Sequence, residues 1–298
     1  MPATLTAIHR YPVKSCRGEA LQEAVVEPQG LAGDRRWMLV DAAGRAVTAR
    51  EVNRLVLVRP EITASGLRVS APGVDAPLEV ATPDPGPQVP VAVFSSTFTA
   101  APAGPEADGW FSAALGVDVR LVHLDDPTRR RTSASFEGGF GDPDDRVSTA
   151  DGYPLLVASE ESLAALNDEV LAAAPTGREP LPMARFRPNV VVRGLPAWSE
   201  DDWRVLRIGD ATFRAVKGCA RCVLTTIDPD SAVLEKEPIA SLARLRRFDG
   251  ATWFGVNLVP DTPGVTIRVG DEVEVLEAAA PGGGPLRVPA RKAVAPPH

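Results

Sequence analysis

Short bursts of alternating apolar and polar residues, separated by proline and glycine, dominate this chain and predict a largely β protein. Leu5 to Tyr11 alternates and stops at Pro12. Ala24-Val25-Val26 and Trp37 to Asp41 follow, with Gly30 and Gly33 marking a tight turn between them. Arg45 to Arg50, Leu55 to Val58, Gly66 to Ser70 and Val89 to Phe94 keep the same rhythm, while Asp75 to Pro90 reads as an exposed connection. Further strands are predicted at Val119–Leu124, after Arg185-Phe186-Arg187-Pro188, and at Trp203–Ile208, Thr212–Val216, Val223–Ile227, Thr266–Val269 and Val273–Leu276. Such spacing belongs to barrels and sandwiches. The period changes to that of a helix in two places. From Pro105, with Glu106 and Asp108 in the first turn, Trp110, Phe111, Ala114 and Leu115 share a face, and Gly116 ends the run. From Ser159 as N-cap, Leu163, Leu166, Val170 and Leu171 form the apolar side of a second helix.

Composition narrows the class. The chain has 298 residues, 44% of them hydrophobic and 24% charged, which is ordinary for a soluble globular protein and enough for two moderate cores. A net charge of −7 argues against nucleic acid or an anionic membrane as partner, so any basic site must be local. No run reaches membrane-spanning length, and the first residues lack a secretory pattern. Three cysteines, an odd number, fit a reducing compartment; a cytoplasmic protein is expected. Pro127 to Arg146, with Arg129-Arg130-Arg131 and no periodicity, reads as a mobile surface loop whose charge run is solvated, though it could border a site.

The candidate chemistry centres on Lys217-Gly218-Cys219-Ala220-Arg221-Cys222, followed by Val223 to Ile227. A thiolate is the soft ligand for metals with high affinity for sulfur, and a neighbouring guanidinium such as Arg221 would lower the pKa of a thiol beside it. The β-branched run after the pair places Cys222 at a loop-to-strand junction. Zinc is disfavoured because the chain offers only Cys16 and the separate His9, His123 and His298 as further ligands. A redox pair and a pair of inert buried thiols stay open as alternatives. Lys14, Arg17, Arg35, Arg50, Arg187 and Arg193 sit at loops or strand ends, where a local cationic pocket would suit a phosphate-bearing anion; singly, each would be solvated. There is no Walker motif, no strand-bound Gly-x-Gly-x-x-Gly and no Ser-His-acid order.

Several collinear stretches carry a resemblance. Tyr11-Pro12-Val13-Lys14-Ser15-Cys16, Asp34-Arg35-Arg36-Trp37, Val47-Thr48-Ala49-Arg50, Asp151-Gly152-Tyr153-Pro154, Phe186-Arg187-Pro188-Asn189, the Cys219 to Cys222 pair with Thr225 to Pro229, and Gly264 to Asp271 resemble the MOSC-domain proteins, most closely the amidoxime-reducing branch. The resemblance implies a mixed α/β, predominantly β fold: a β-barrel-like MOSC N-terminal domain over residues 1–123, a β-barrel-like MOSC domain over 124–277 with few peripheral helices, and a disordered tail over 278–298. It also implies a molybdenum cofactor, with molybdopterin held by its phosphate and pterin. Cys222 then looks like the metal ligand, with Lys14, Ser15, Arg35, Asp151, Gly152, Tyr153, Arg187, Asn189 and Arg221 as cofactor contacts.

The implied activity is reduction of N-hydroxylated compounds such as hydroxylamines, amidoximes and N-hydroxylated bases. A soluble protein without the membrane anchor of mitochondrial members is expected. No cysteine follows Cys222 to hold an iron–sulfur cluster, so a separate ferredoxin- or flavin-type donor protein is expected. Two alternatives remain: a cofactor carrier or sulfur-delivery protein without turnover, and a thiol oxidoreductase using Cys219 with Cys222.

Overall fold

In the computed structural model, which describes residues 2–84, 86–132, 142–173 and 177–287, seven strands close on themselves into a barrel. Their order is Leu155–Ser159, Val190–Arg193, Ala3–Arg10, Glu272–Ala278, Trp203–Ile208, Ala211–Arg221 and Ala251–Pro260, and the last pairs back with the first. Closure removes the exposed edge that an open sheet would carry. Alternate residues point inward, so Leu5, Ile8, Leu206, Ile208, Phe213, Ala215, Val256 and Leu258 fill one core. The first strand of the chain is therefore part of the barrel built mainly from the C-terminal half, through Leu5 opposite Val192 and Ala3 opposite Val273.

Among the remaining N-terminal residues, Glu23–Glu27 and Gly30–Leu31 join Thr266–Arg268 in a three-stranded sheet, and two further small sheets are built from N-terminal residues alone. One runs Trp37–Val40, Arg120–His123, Ser96–Pro102, Val89–Val93; the other is the meander Arg59–Thr63, Gly66–Ser70, Leu78–Ala81. Leu39, Leu55, Leu67, Phe111 and Leu121 form the core between them and the helix Pro105–Leu115. That helix ends as expected at Gly116, whose φ of 73° is open to glycine without strain. The second predicted helix spans Glu160–Ala173, with the Ser159 hydroxyl accepting from Ser162 N at 3.1 Å. Leu166 and Val170 are buried, but Leu171 is 41% exposed and leaves the predicted face. A third helix, Ile239–Leu245, carries no strong pattern and packs its Leu242 against Phe254 and Phe186.

Three expected strands take other forms. Val223–Thr226 is a 3-10 turn, because the Thr225 and Thr226 hydroxyls donate back to the carbonyls of Cys222 and Val223 at 3.0 and 2.7 Å. Cys222 thus ends the long strand Ala211–Arg221 instead of opening one. Asn53–Leu57 is likewise 3-10, and Arg45 to Arg50 makes only isolated bridges before Glu51 caps Thr48 N at 2.9 Å and turns the chain. Inside the stretch read as a connection, Leu78–Ala81 is a strand. The expected tail is ordered as far as Arg287: Gly218 N donates to Leu286 O at 2.7 Å, and a Cβ on Gly218 would stand 3.1 Å from Pro285. Residues 288–298, and residues 133–141 of the expected mobile loop, lie outside the described residues. No helix among the described residues is long and apolar enough to cross a membrane.

Candidate active site

All ten residues singled out from the sequence line one cleft between the barrel and the N-terminal sheets: Lys14, Ser15, Arg35, Asp151, Gly152, Tyr153, Arg187, Asn189, Arg221 and Cys222. Of the wider cation set, Lys14, Arg35, Arg50 and Arg187 converge there. Arg17 opens into a neighbouring cavity and pairs with Asp230 at 2.8 Å, and Arg193 is 63% exposed opposite Glu160. With Arg221, five cations line the cleft against a single carboxylate, Asp151. In an acidic protein this local excess favours an anion.

The floor of the cleft is rigid. Arg35 and Arg187 both stack on the buried Tyr11 ring, 4.5 and 4.3 Å from its centroid. Arg35 pairs with buried Asp34 and donates to Asn189 Oδ1 at 3.0 Å. Asn189 spends its other contacts on Leu156 N and His9 O, each at 3.2 Å, so it braces Arg35. Burial lowers the pKa of Arg187, and the like charge of Arg35 adds to that. Arg187 Nη2 is buried with no hydrogen-bond partner among the described residues. A cation in that state calls for an anion or acceptor from outside the chain. Backbone strain gathers here too: Ser15, Arg35 and Arg187 have φ of 67°, 48° and 54°, a conformation that persists only where surroundings impose it.

Lys14 links floor and rim. It is 5% exposed, donates to Thr149 O at 2.9 Å and bonds Asp151 closely. Burial pulls its pKa down to about 8 even against the attraction of Asp151. Although burial pushes the other way, Lys14 and Arg50 together hold the Asp151 carboxyl well below the usual carboxylate range.

At the rim Cys222 is exposed, and its sulfur accepts from Arg50 Nε at 3.4 Å. Arg50 also pairs with Asp151. The guanidinium beside the thiol is therefore Arg50 and not Arg221, the neighbour expected from the sequence. Adjacent residues of an extended strand point to opposite faces. Arg221 accordingly turns inward, giving its donors to Phe254 O at 2.8 and 2.6 Å and to Phe186 O at 3.1 Å. Gly255 makes room for it: a Cβ there would stand 2.6 Å from Val157 O and 3.4 Å from Arg221. Cys219 lies where the register slips between Gly218 and Ala220, a bulge of the kind that re-aims side chains beside functional sites. Burial raises its pKa, and burial pushes the Cys16 thiol, which does not line the cleft, up to about 12.

Arg50 was among the cations expected of a local pocket, and only its contact with the thiol was not foreseen. One participant was missed by sequence reasoning. Arg130, inside a run read as solvated, is 2% exposed; its guanidinium donates to the carbonyls of Ser148, Ala150 and Asp151 and so sets the turn that carries Asp151. The carbonyl-rich turn needed a buried donor, and only the fold reveals which arginine supplies it.

A seven-stranded barrel joined to small N-terminal sheets fits the mixed, mainly β fold of MOSC domains. The MOSC N-terminal beta barrel domain matches residues 2–118, and the MOSC domain matches residues 144–274. Mitochondrial amidoxime-reducing component 1 of Mus musculus is 33% identical over 288 residues, covering 92% of this chain and 82% of the relative. Mitochondrial amidoxime reducing component 2 of Rattus norvegicus is 32% identical over 291 residues, covering 91% and 82%. The molybdenum cofactor sulfurase of Oryza sativa subsp. japonica is 31% identical over 266 residues, covering 85% of this chain but 32% of that protein. The chain belongs to the MOSC family that includes the mitochondrial amidoxime-reducing components.

Proposed function

We propose that the cleft binds a molybdenum cofactor and that the protein is an oxidoreductase that reduces N-hydroxylated compounds with electrons from a separate donor protein of ferredoxin or flavin type. The observation that carries this reading is the exposed Cys222 thiol at the edge of a cleft lined by five cations, with a buried arginine nitrogen still lacking an acceptor. The donor set fits the group. One soft sulfur is available for molybdenum, and cations with turn amides suit a phosphate and a pterin. Among the described residues no cluster of three His, Cys, Asp or Glu side chains stands ready to hold a metal unaided, so the remaining ligands would come from the organic part of the cofactor.

In this reading Cys222 is the metal ligand and the catalytic residue. Arg35, Arg187 and Lys14 hold the phosphate and pterin with Ser15 and the Asp151-Gly152-Tyr153 turn, while Asn189 and Arg221 keep that wall in place. When bound, molybdenum supplies two-electron exchange between donor and substrate; the protein orients and tunes it. Converting a hydroxylamine or amidoxime to the amine or amidine takes two electrons and two protons and releases one water. In this reading Lys14 Nζ, bonded to Thr149 O and Asp151, keeps a buried cation on that wall.

Elemental analysis for molybdenum on purified protein, beside benzamidoxime reduction with an artificial donor, tests the assignment. Cys222→Ser should lose metal and lower turnover by more than about a hundredfold, whereas Cys219→Ser should keep both within a few-fold. Equal loss in the two variants would favour a thiol mechanism. Bound molybdenum without turnover in the wild type would favour a carrier.

A further inference from the structure

Phe94 stands where a phenylalanine serves no folding purpose. It is the first residue of the two-residue turn between Val89–Val93 and Ser96–Pro102, strands in register through Val93 opposite Ser96. Its φ is 53°, at a position that hairpins give to Gly, Asn or Asp, and its side chain is 70% exposed. The hairpin is seated by Val91, Val93 and Phe98, which fill a core of their own without it. A bulky ring kept both strained and wet is unusual unless something outside the folded chain uses it.

Its placement says what. The ring centroid lies 5.3 Å from the Arg50 guanidinium, the group that touches Cys222 and Asp151. The hairpin is also tied to the wall of the cleft. Arg130 Nε donates to Ser96 Oγ at 3.4 Å, its Nη2 donates to Asp151 O at 3.1 Å, and its guanidinium stacks 5.4 Å from Phe98. Phe94 is thus set beside Arg50, one guanidinium away from the sulfur.

We propose that Phe94 is a specificity-determining residue that selects flat, aromatic N-hydroxylated substrates by stacking on them at the entrance of the cleft. This rests on the reductase reading and goes beyond it in naming the substrate class and the residue that chooses it. Offset or edge-on aromatic contact rewards planar rings and gives small aliphatic or inorganic hydroxylamines nothing.

The test compares benzamidoxime with hydroxylamine in wild type, Phe94→Ala, Phe94→Gly and Phe94→Trp, using an artificial small-molecule donor. Calorimetric titration of benzamidoxime into oxidised protein without any donor reads the same contact in the absence of turnover. Phe94→Ala and Phe94→Gly should weaken benzamidoxime binding and raise its KM about three- to tenfold, leave hydroxylamine within about twofold, and Phe94→Trp should restore the preference. A shift below about threefold for benzamidoxime, or an equal shift for both substrates, overturns the proposal. So does a Phe94→Gly protein that melts several degrees lower, since the ring would then be part of the fold. Because titration needs no turnover, loss of the Phe94 effect is told apart from failure of the reductase reading.

Discussion

On the floor of the cleft, Arg35 and Arg187 lie against the Tyr11 ring, with Asp34 and Asn189 bracing Arg35 from behind; at the rim, Arg50 meets Asp151, a thiol and an exposed phenyl ring. Both places hold guanidinium groups paired with carboxylates. They differ in solvent. Asp34 and Arg35 side chains are 2% and 13% exposed, while Asp151 and Arg50 are 46% and 25% exposed. A charge whose partners are all protein and all dry is fixed before any ligand arrives. A charge that is part-exposed and touches a cysteine sulfur can exchange its contacts with whatever enters. The floor is thus suited to hold an anion tightly and the rim to meet successive ligands.

The widest separation between the two should appear in stability. Asp34→Ala removes the counter-ion of Arg35 and the acceptor of Tyr11 N at 2.8 Å, leaving a dry guanidinium unpaired. A loss of about 3 kcal/mol is expected in urea denaturation.

Lys14 sharpens the contrast through pH. Its folded pKa, near 8, lies below the ordinary 10.5, so below pH 8 both states are protonated and the folded protein bears the full cost of burying the charge. Above that pH the folded state releases a proton that the unfolded chain keeps, and stability rises with pH until the unfolded lysine also titrates. Relative to Lys14→Met, the wild type should gain about 2 kcal/mol between neutral pH and about pH 9.5. A flat difference would move Lys14 from the dry floor to the solvated rim.

The smallest effect belongs to Arg50. Its pair with Asp151 is half-open to water, so Arg50→Met should cost no more than about 1 kcal/mol by thermal melting. If it costs as much as Asp34→Ala, the division between floor and rim fails.

Much of the β architecture could be read directly, because alternation reports which side of a strand is buried whatever its neighbours are. Ala3–Arg10, Trp203–Ile208 and Glu272–Ala278 follow their patterns, and Pro105–Leu115 carries both its start and its stop. One of the errors shows its cause plainly. Val223 to Ile227 has the β-branched content of a strand, yet the Thr225 and Thr226 hydroxyls find carbonyls one turn back. Side-chain to backbone bonds of this kind compete with a sheet, and composition alone does not say which wins. The site residues were legible as types at motif positions; their pairings were not. Arg221 adjoins Cys222 in the chain but faces away, while Arg50, 172 positions distant, supplies the contact.

Residue chemistry and period, which are local properties, determined that this protein is a β-rich member of its family with a thiol and a set of cations. Which arginine touches the sulfur, that Arg130 is buried, and that the Phe94 ring stands by Arg50 were decided by barrel closure and the packing of the N-terminal sheets against it. Those contacts join residues far apart in sequence, and their distances exist only once the chain has closed on itself.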